Sequence, residues 1–170
     1  MKFSQLILFL FVSLFYLNTN AQNFELGKVS VEELKEKAHP IDTSAAAAII
    51  YKKAKTYFTH EIGTGFFVYH DYEMRIKIYK KEGLRWADFK VQYRGGDENS
   101  APEIVKFSNC VTYSLEDKTI QATVLRTEGN LKTDINKYWN EALITMPNVK
   151  VGSVIEIHYT LKSRNVVRFP

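Results

Sequence analysis

Cysteine is nearly absent from this chain of 170 residues. Its one cysteine, Cys110, has no second thiol with which to form an intramolecular disulfide. Four histidines, eight glycines and four prolines leave few parts for a metal cage or a glycine-rich phosphate loop. An excess of charge of one sign is also missing. The 23 Lys+Arg against 19 Asp+Glu leave a formal net charge of +4, short of the clustered basic surplus that nucleic-acid binding draws on. No nucleic-acid role is expected. What is present, 45% hydrophobic, 14% aromatic and 25% charged residues, is the balance of one ordinary folded domain.

Long apolar runs are confined to the start. Met1 and Lys2 precede an almost unbroken hydrocarbon stretch from Leu6 to Leu17, which gives way to Asn18, Thr19, Asn20 and Ala21. A positive start, an apolar stretch of about a dozen residues and small side chains at Thr19 and Ala21 describe a secretory signal peptide over residues 1–21, cleaved between Ala21 and Gln22. An uncleaved anchor is the alternative, but a spanning helix needs about 20 apolar residues and this stretch turns polar too early. No cysteine stands at the junction to carry a lipid. The expectation is export to the periplasm or beyond the cell, with no transmembrane anchor in the mature chain. A domain of that remaining length buries roughly two-thirds of its unfolded surface and needs no staples.

Residues 22–41 read as a lead-in with one short helix. Ser30 is followed three positions on by Glu33, a capping-box spacing, and the run of Glu, Leu and Lys stops at His39-Pro40. Residues 42–170 read as strands. The run from Ala45 to Ile50 and on to Tyr57 and Phe58 sets alanine, a helix former, against β-branched and aromatic residues, and is taken as strand. Met74, Ile76 and Ile78 then alternate with Glu73, Arg75 and Lys77, the period of a sheet with one wet face. Lys80 to Gly83 closes that strand in a turn. Alternation returns at Val105 to Phe107, Val111 to Tyr113, Ile120 to Val124 and Ile155 to Leu161, with turn clusters at Arg94 to Pro102, Glu116 to Lys118 and Glu128 to Asn130. The expected fold is all-β, an antiparallel sandwich or saddle-like pair of sheets with the Ser30 helix as decoration. Pro147 to Gly152 is turn chemistry leading into the last strand, with Gly152 placed where positive φ or close approach is needed.

The order of these features carries a resemblance. The Asp42-Thr43-Ser44-Ala45-Ala46-Ala47 lead, the Arg75-Ile76-Lys77-Ile78 strand with its Lys80 to Gly83 turn, and above all Pro147-Asn148-Val149-Lys150 through Tyr159 resemble the DUF3857 domain of exported, Bacteroidetes-type proteins. In them it often precedes a transglutaminase-like domain. The resemblance spans roughly Phe24 to Pro170. It implies a β-rich module, similar in shape to the N-terminal saddle domain of certain aminopeptidases, with no assigned catalytic residues. Fold likeness does not carry function across. In the family a further strand of Trp-x-Phe-Gln pattern and then the enzyme-like domain follow. The resemblance therefore implies that the last strand and a transglutaminase-like partner domain lie beyond Pro170.

Candidate chemistry is sparse. A thiol nucleophile must be Cys110, yet Phe107 to Tyr113 reads as strand and supplies neither a base nor a helix N-terminus, so a buried, inert thiol is the better account. Glu156 and His158, two apart on a strand, share a sheet face and could form an acid–base pair or half a metal site. Two ligands do not close a zinc site, and His39, His60 and His70 show no spacing that would complete it. No metal, cofactor or catalytic residue is therefore assigned. Tyr69 to Glu73 reads as a solvated face, and Glu32, Glu33, Glu36, Lys35 and Lys37 as helix-surface charges. Most aromatics serve packing. Trp86 and the Tyr138-Trp139 pair are the places where a ring beside polar neighbours could hold a sugar. The function expected is a non-catalytic accessory or substrate-positioning β domain of an exported transglutaminase-like protein. The alternative is a stand-alone module binding glycans or peptides through Trp86, Tyr138, Trp139, Glu156 or His158.

Overall fold

In the computed structural model, residues 24–98, 100–126 and 130–164 are described. The expected signal peptide and its Ala21–Gln22 junction lie outside them. Ser30 caps helix α1 (Val31–Lys35) with both capping-box bonds in place, the Ser30 hydroxyl accepting from Glu33 N–H and the Glu33 carboxylate from Ser30 N–H. The helix ends sooner than its charge pattern suggests, because Glu36 already has extended backbone.

Among the described residues eight strands follow: β1 (Ala47–Glu61), β2 (Gly65–Ile78), β3 (Asp88–Arg94), β4 (Ile104–Glu116), β5 (Thr119–Val124), β6 (Asn130–Asp134), β7 (Trp139–Thr145) and β8 (Val154–Ser163). Between β2 and β3 the expected turn is a 3-10 helix, Lys81–Ala87. Every ladder between these strands is antiparallel. One sheet has five strands in the order β1-β2-β8-β4-β5, and the other has three in the order β3-β7-β6. Among the described residues the fold is all-β with one short α-helix, as the alternation predicts.

The inner faces supply the core. Met74, Ile76 and Ile78 of β2 and Ile155 and Ile157 of β8 meet Ile144 of β7 and Met146 just after it. Val91 and Tyr93 of β3 and Ala142 of β7 pack with Val105 of β4. Each isoleucine buried here contributes about 1.5–3 kcal/mol relative to exposure. Gly152 has φ +90, the positive value expected of the turn into β8.

The outer face of the large sheet corrects the sequence reading. Glu73, Arg75 and Lys77 were expected to face water, yet Arg75 is 2% and Lys77 0% exposed, as is their neighbour Glu156 at 1%. Residues 24–36 cover them. Leu34 of α1 packs on Tyr113 and Val154. The Phe24 ring lies 3.9 Å from the Arg75 guanidinium and stacks on Tyr51. The helix is therefore a third layer rather than decoration.

Candidate functional site

Antiparallel pairing builds a polar ladder across the outer face. Arg75 on β2 sits directly opposite Glu156 on β8, and Glu73 directly opposite His158. His158 in turn faces Ser108 on β4. Just beyond Ser108 the β4–β8 register shifts, and Asn109 takes φ 49, so a bulge bends β4 beside the ladder.

The inner rung is closed. Arg75 Nε donates to Glu156 Oε1 at 2.8 Å, and the second Glu156 oxygen accepts from Gly27 N–H at 2.8 Å. The guanidinium also donates to Glu33 at 2.7 Å and to the carbonyls of Glu25 and Lys28 at 2.9 and 3.0 Å. Lys77 Nζ meets no carboxylate among the described residues but donates to the carbonyls of Leu34 and Gly152, at 3.0 and 2.6 Å. Burial pushes the Lys77 pKa down to about 8, against the opposing pull of Glu36 and Glu33.

The next rungs are open. Asp71, Glu73 and His158 are all half-buried, with one ligand atom from each lying within 4.8 Å of the others. His158 Nε2 is 2.9 Å from Asp71 Oδ1, and His158 Nδ1 is 3.0 Å from the Ser108 hydroxyl. Thr160 donates to Asp71 at 2.7 Å, and the Tyr51 hydroxyl to Glu73 at 3.4 Å. Burial alone would raise the Asp71 carboxyl. The bonds from Thr160 and His158, with the charges of His158 and Lys55, outweigh it and hold the group below its ordinary value.

Glu156 and His158 do share a face, but each takes a different partner: Arg75 for Glu156, Asp71 for His158. Asp71 and Glu73 lie in the segment read as a solvated face. Their i, i+2 spacing was visible in the sequence, but their register against His158, about 85 residues on, was not. Trp86 is half-buried against the inner core. Tyr138 is 51% exposed at the turn between β6 and β7, with Lys137 Nζ 5.4 Å from its ring centre. Trp139, the first residue of β7, is half-buried opposite Arg94. Cys110 is 2% exposed, and burial pushes its thiol pKa up. A hollow of about 360 Å³ beside α1 is lined by Phe24, Glu32, Glu33, Glu36 and Tyr79 among others. Glu33 and Glu36 there already hold Arg75 and the Tyr79 hydroxyl.

No family model and no curated protein matches this chain. Among solved structures it is similar to one described as "crystal structure of a putative protease" from Parabacteroides distasonis, with 9% identity and a TM-score of 0.47 over 69% of this chain and 24% of the other. This chain thus spans about a quarter of the length of that one. Among the described residues no helix is long and apolar enough to cross a membrane.

Proposed function

We propose that this chain is an accessory β domain that positions an extended peptide, either a substrate or a neighbouring segment, for an exported transglutaminase-like enzyme. The carrying observation is β1. It runs for 15 residues at the end of the five-stranded sheet, and no described strand pairs with its outer side. Such an edge offers backbone donors and acceptors that an extended peptide completes, while side chains on alternate faces choose which peptide. Tyr57 is 38% and Phe58 53% exposed on that strand, supplying aromatic anchors, and Lys52, Lys53 and Lys55 are exposed beside them. The lysines favour an acidic or neutral peptide over a basic one. The DUF3857 resemblance supports the accessory role and the exported setting.

The test is capture of a displayed library of extended peptides by the purified chain, followed by hydrogen exchange. Captured peptides are expected to slow exchange along β1, and Phe58→Asp to weaken capture about 10-fold or more, with a thermal melt establishing that the variant is folded. Protection elsewhere with β1 unchanged sinks the proposal, as does hydrolase or transferase turnover that survives purification and disappears in Cys110→Ala. The exposed Tyr138 beside Lys137 favours one second reading, a glycan platform. Its mark is glycan-array binding lost in Tyr138→Ala.

A further inference from the structure

We propose that Asp71, Glu73 and His158 bind one divalent transition-metal ion on the outer face of the large sheet. The inference does not depend on the peptide-positioning role. Residues two apart on a strand point to the same side, and a directly opposite residue on the neighbouring strand joins them. Asp71 and Glu73 on β2 and His158 on β8 satisfy that geometry. The chosen donor atoms lie within 4.8 Å of one another, and the His158–Asp71 pair at 2.9 Å. Donors about 2.0–2.1 Å from a tetrahedral ion are about 3.3 Å apart. The observed spacing brackets that value, so opening the His158–Asp71 pair by a few tenths of an ångström and turning the Glu73 side chain bring the three donors onto one ion.

The surroundings orient the ligands. Ser108 on β4 holds Nδ1 of His158 and leaves Nε2 facing the carboxylates. Thr160 fixes Asp71, and Tyr51 on β1 reaches Glu73. An outer partner on the second imidazole nitrogen and on a ligating carboxylate is what metal sites use to set tautomer and direction. The ion takes the place of the proton on Nε2, which moves to Nδ1 if the ring is neutral or is released to solvent if the ring is protonated; either way the bound imidazole is neutral and donates its Nδ1 proton to the Ser108 oxygen. Two carboxylates and a neutral imidazole balance a 2+ charge, and this mixed set suits zinc or manganese better than copper(I) or calcium. Lys53 and Lys55 of β1 stand directly opposite Glu73 and Asp71, and the Lys55 charge acts on Asp71, while the Arg75 charge is taken up by Glu156 and Glu33.

The experiment is calorimetric titration of the purified chain with zinc chloride and with manganese chloride, alongside nitrogen NMR of the histidine side chains. Saturable binding of one ion per chain is expected, with the His158 Nε2 resonance shifting on binding. His158→Gln and Glu73→Gln should each abolish it. Ser108→Ala, which touches no donor of the metal, should weaken it about 10–100-fold. His39→Gln and His60→Gln should leave it unchanged. Thermal melts of the metal-free variants establish that each is folded. Absence of saturable binding of either ion overturns the proposal. So does binding that survives in folded His158→Gln, or that is lost in His39→Gln or His60→Gln. If His158→Gln and Glu73→Gln fail to fold, Ser108→Ala and the His158 resonance decide: unchanged affinity with an unmoved resonance overturns it.

Discussion

Arg75 and Glu156 form the most fully enclosed ion pair among the described residues, with side chains 2% and 1% exposed. Their attraction repays desolvation because nearly every remaining donor and acceptor is used, by Glu33, two backbone carbonyls and Gly27 N–H. Removing one partner strands a buried charge. Arg75→Met is therefore expected to cost about 3–5 kcal/mol, while adding Glu156→Leu should recover most of it. Urea denaturation of the two single variants and the double variant checks this, and strictly additive losses would sink it. The residue types and their alternation were legible in the sequence. Their pairing was not, because the partners are 81 residues apart and the register that opposes them is set by two whole strands. The same register hid the Asp71, Glu73 and His158 cluster.

Elements were legible where one face alone is apolar over several turns of the pleat. β2 and β8 carry that pattern, and β1 is a strand despite its alanines because pairing to β2 along its length outweighs helix propensity. β6 and β7 carry a weaker one, since Trp139-Asn140-Glu141 interrupts any alternation. The sequence reads as a turn only over Lys80 to Gly83, whereas the 3-10 helix runs over Lys81–Ala87 and brings Gly83 against the start of β1. A Cβ at Gly83 would lie 2.3 Å from the carbonyl oxygen of Ala46, which already accepts from Tyr79 and Lys80 N–H at 2.9 and 3.0 Å. That oxygen cannot retreat without breaking those bonds. Gly83→Ala, a favourable change for an isolated helix, is thus expected to lower stability by about 1–3 kcal/mol. A variant as stable as the wild type in urea would disprove the close approach.

At the scale of the whole molecule, burying cationic and phenolic groups makes stability depend on alkaline pH. Lys77 has a folded pKa of about 8 against an ordinary 10.5. Between those values the unfolded chain binds more protons than the folded one, so the cost of burying this ammonium fades as pH rises. The Cys110 thiol and the hydroxyls of Tyr72, Tyr79, Tyr113 and Tyr159 shift the other way. Burial raises them all, Tyr159 to about 12. The unfolded chain then sheds those protons first, and stability falls above about pH 9–10. The expected outcome is a wild-type stability that gains on Lys77→Met between pH 8 and 10.5, with both falling at higher pH. Urea midpoints across pH 7–11 measure it, and a constant difference between the two proteins would refute the assignment.

The sequence by itself determined the all-β class, the strands with one apolar face and the capped helix, because these follow from periodicity and local hydrogen bonding within a few residues. Its single cysteine excluded an intramolecular disulfide frame by composition alone, since the chain holds no second thiol. Only the tertiary structure decided that Arg75 and Lys77 of β2 are buried under residues 24–36, and that Asp71, Glu73 and His158 share one half-buried patch beside them. Both outcomes depend on which strands are neighbours and in what register. That is a property of cooperative packing over the whole chain, which no single window of residues contains.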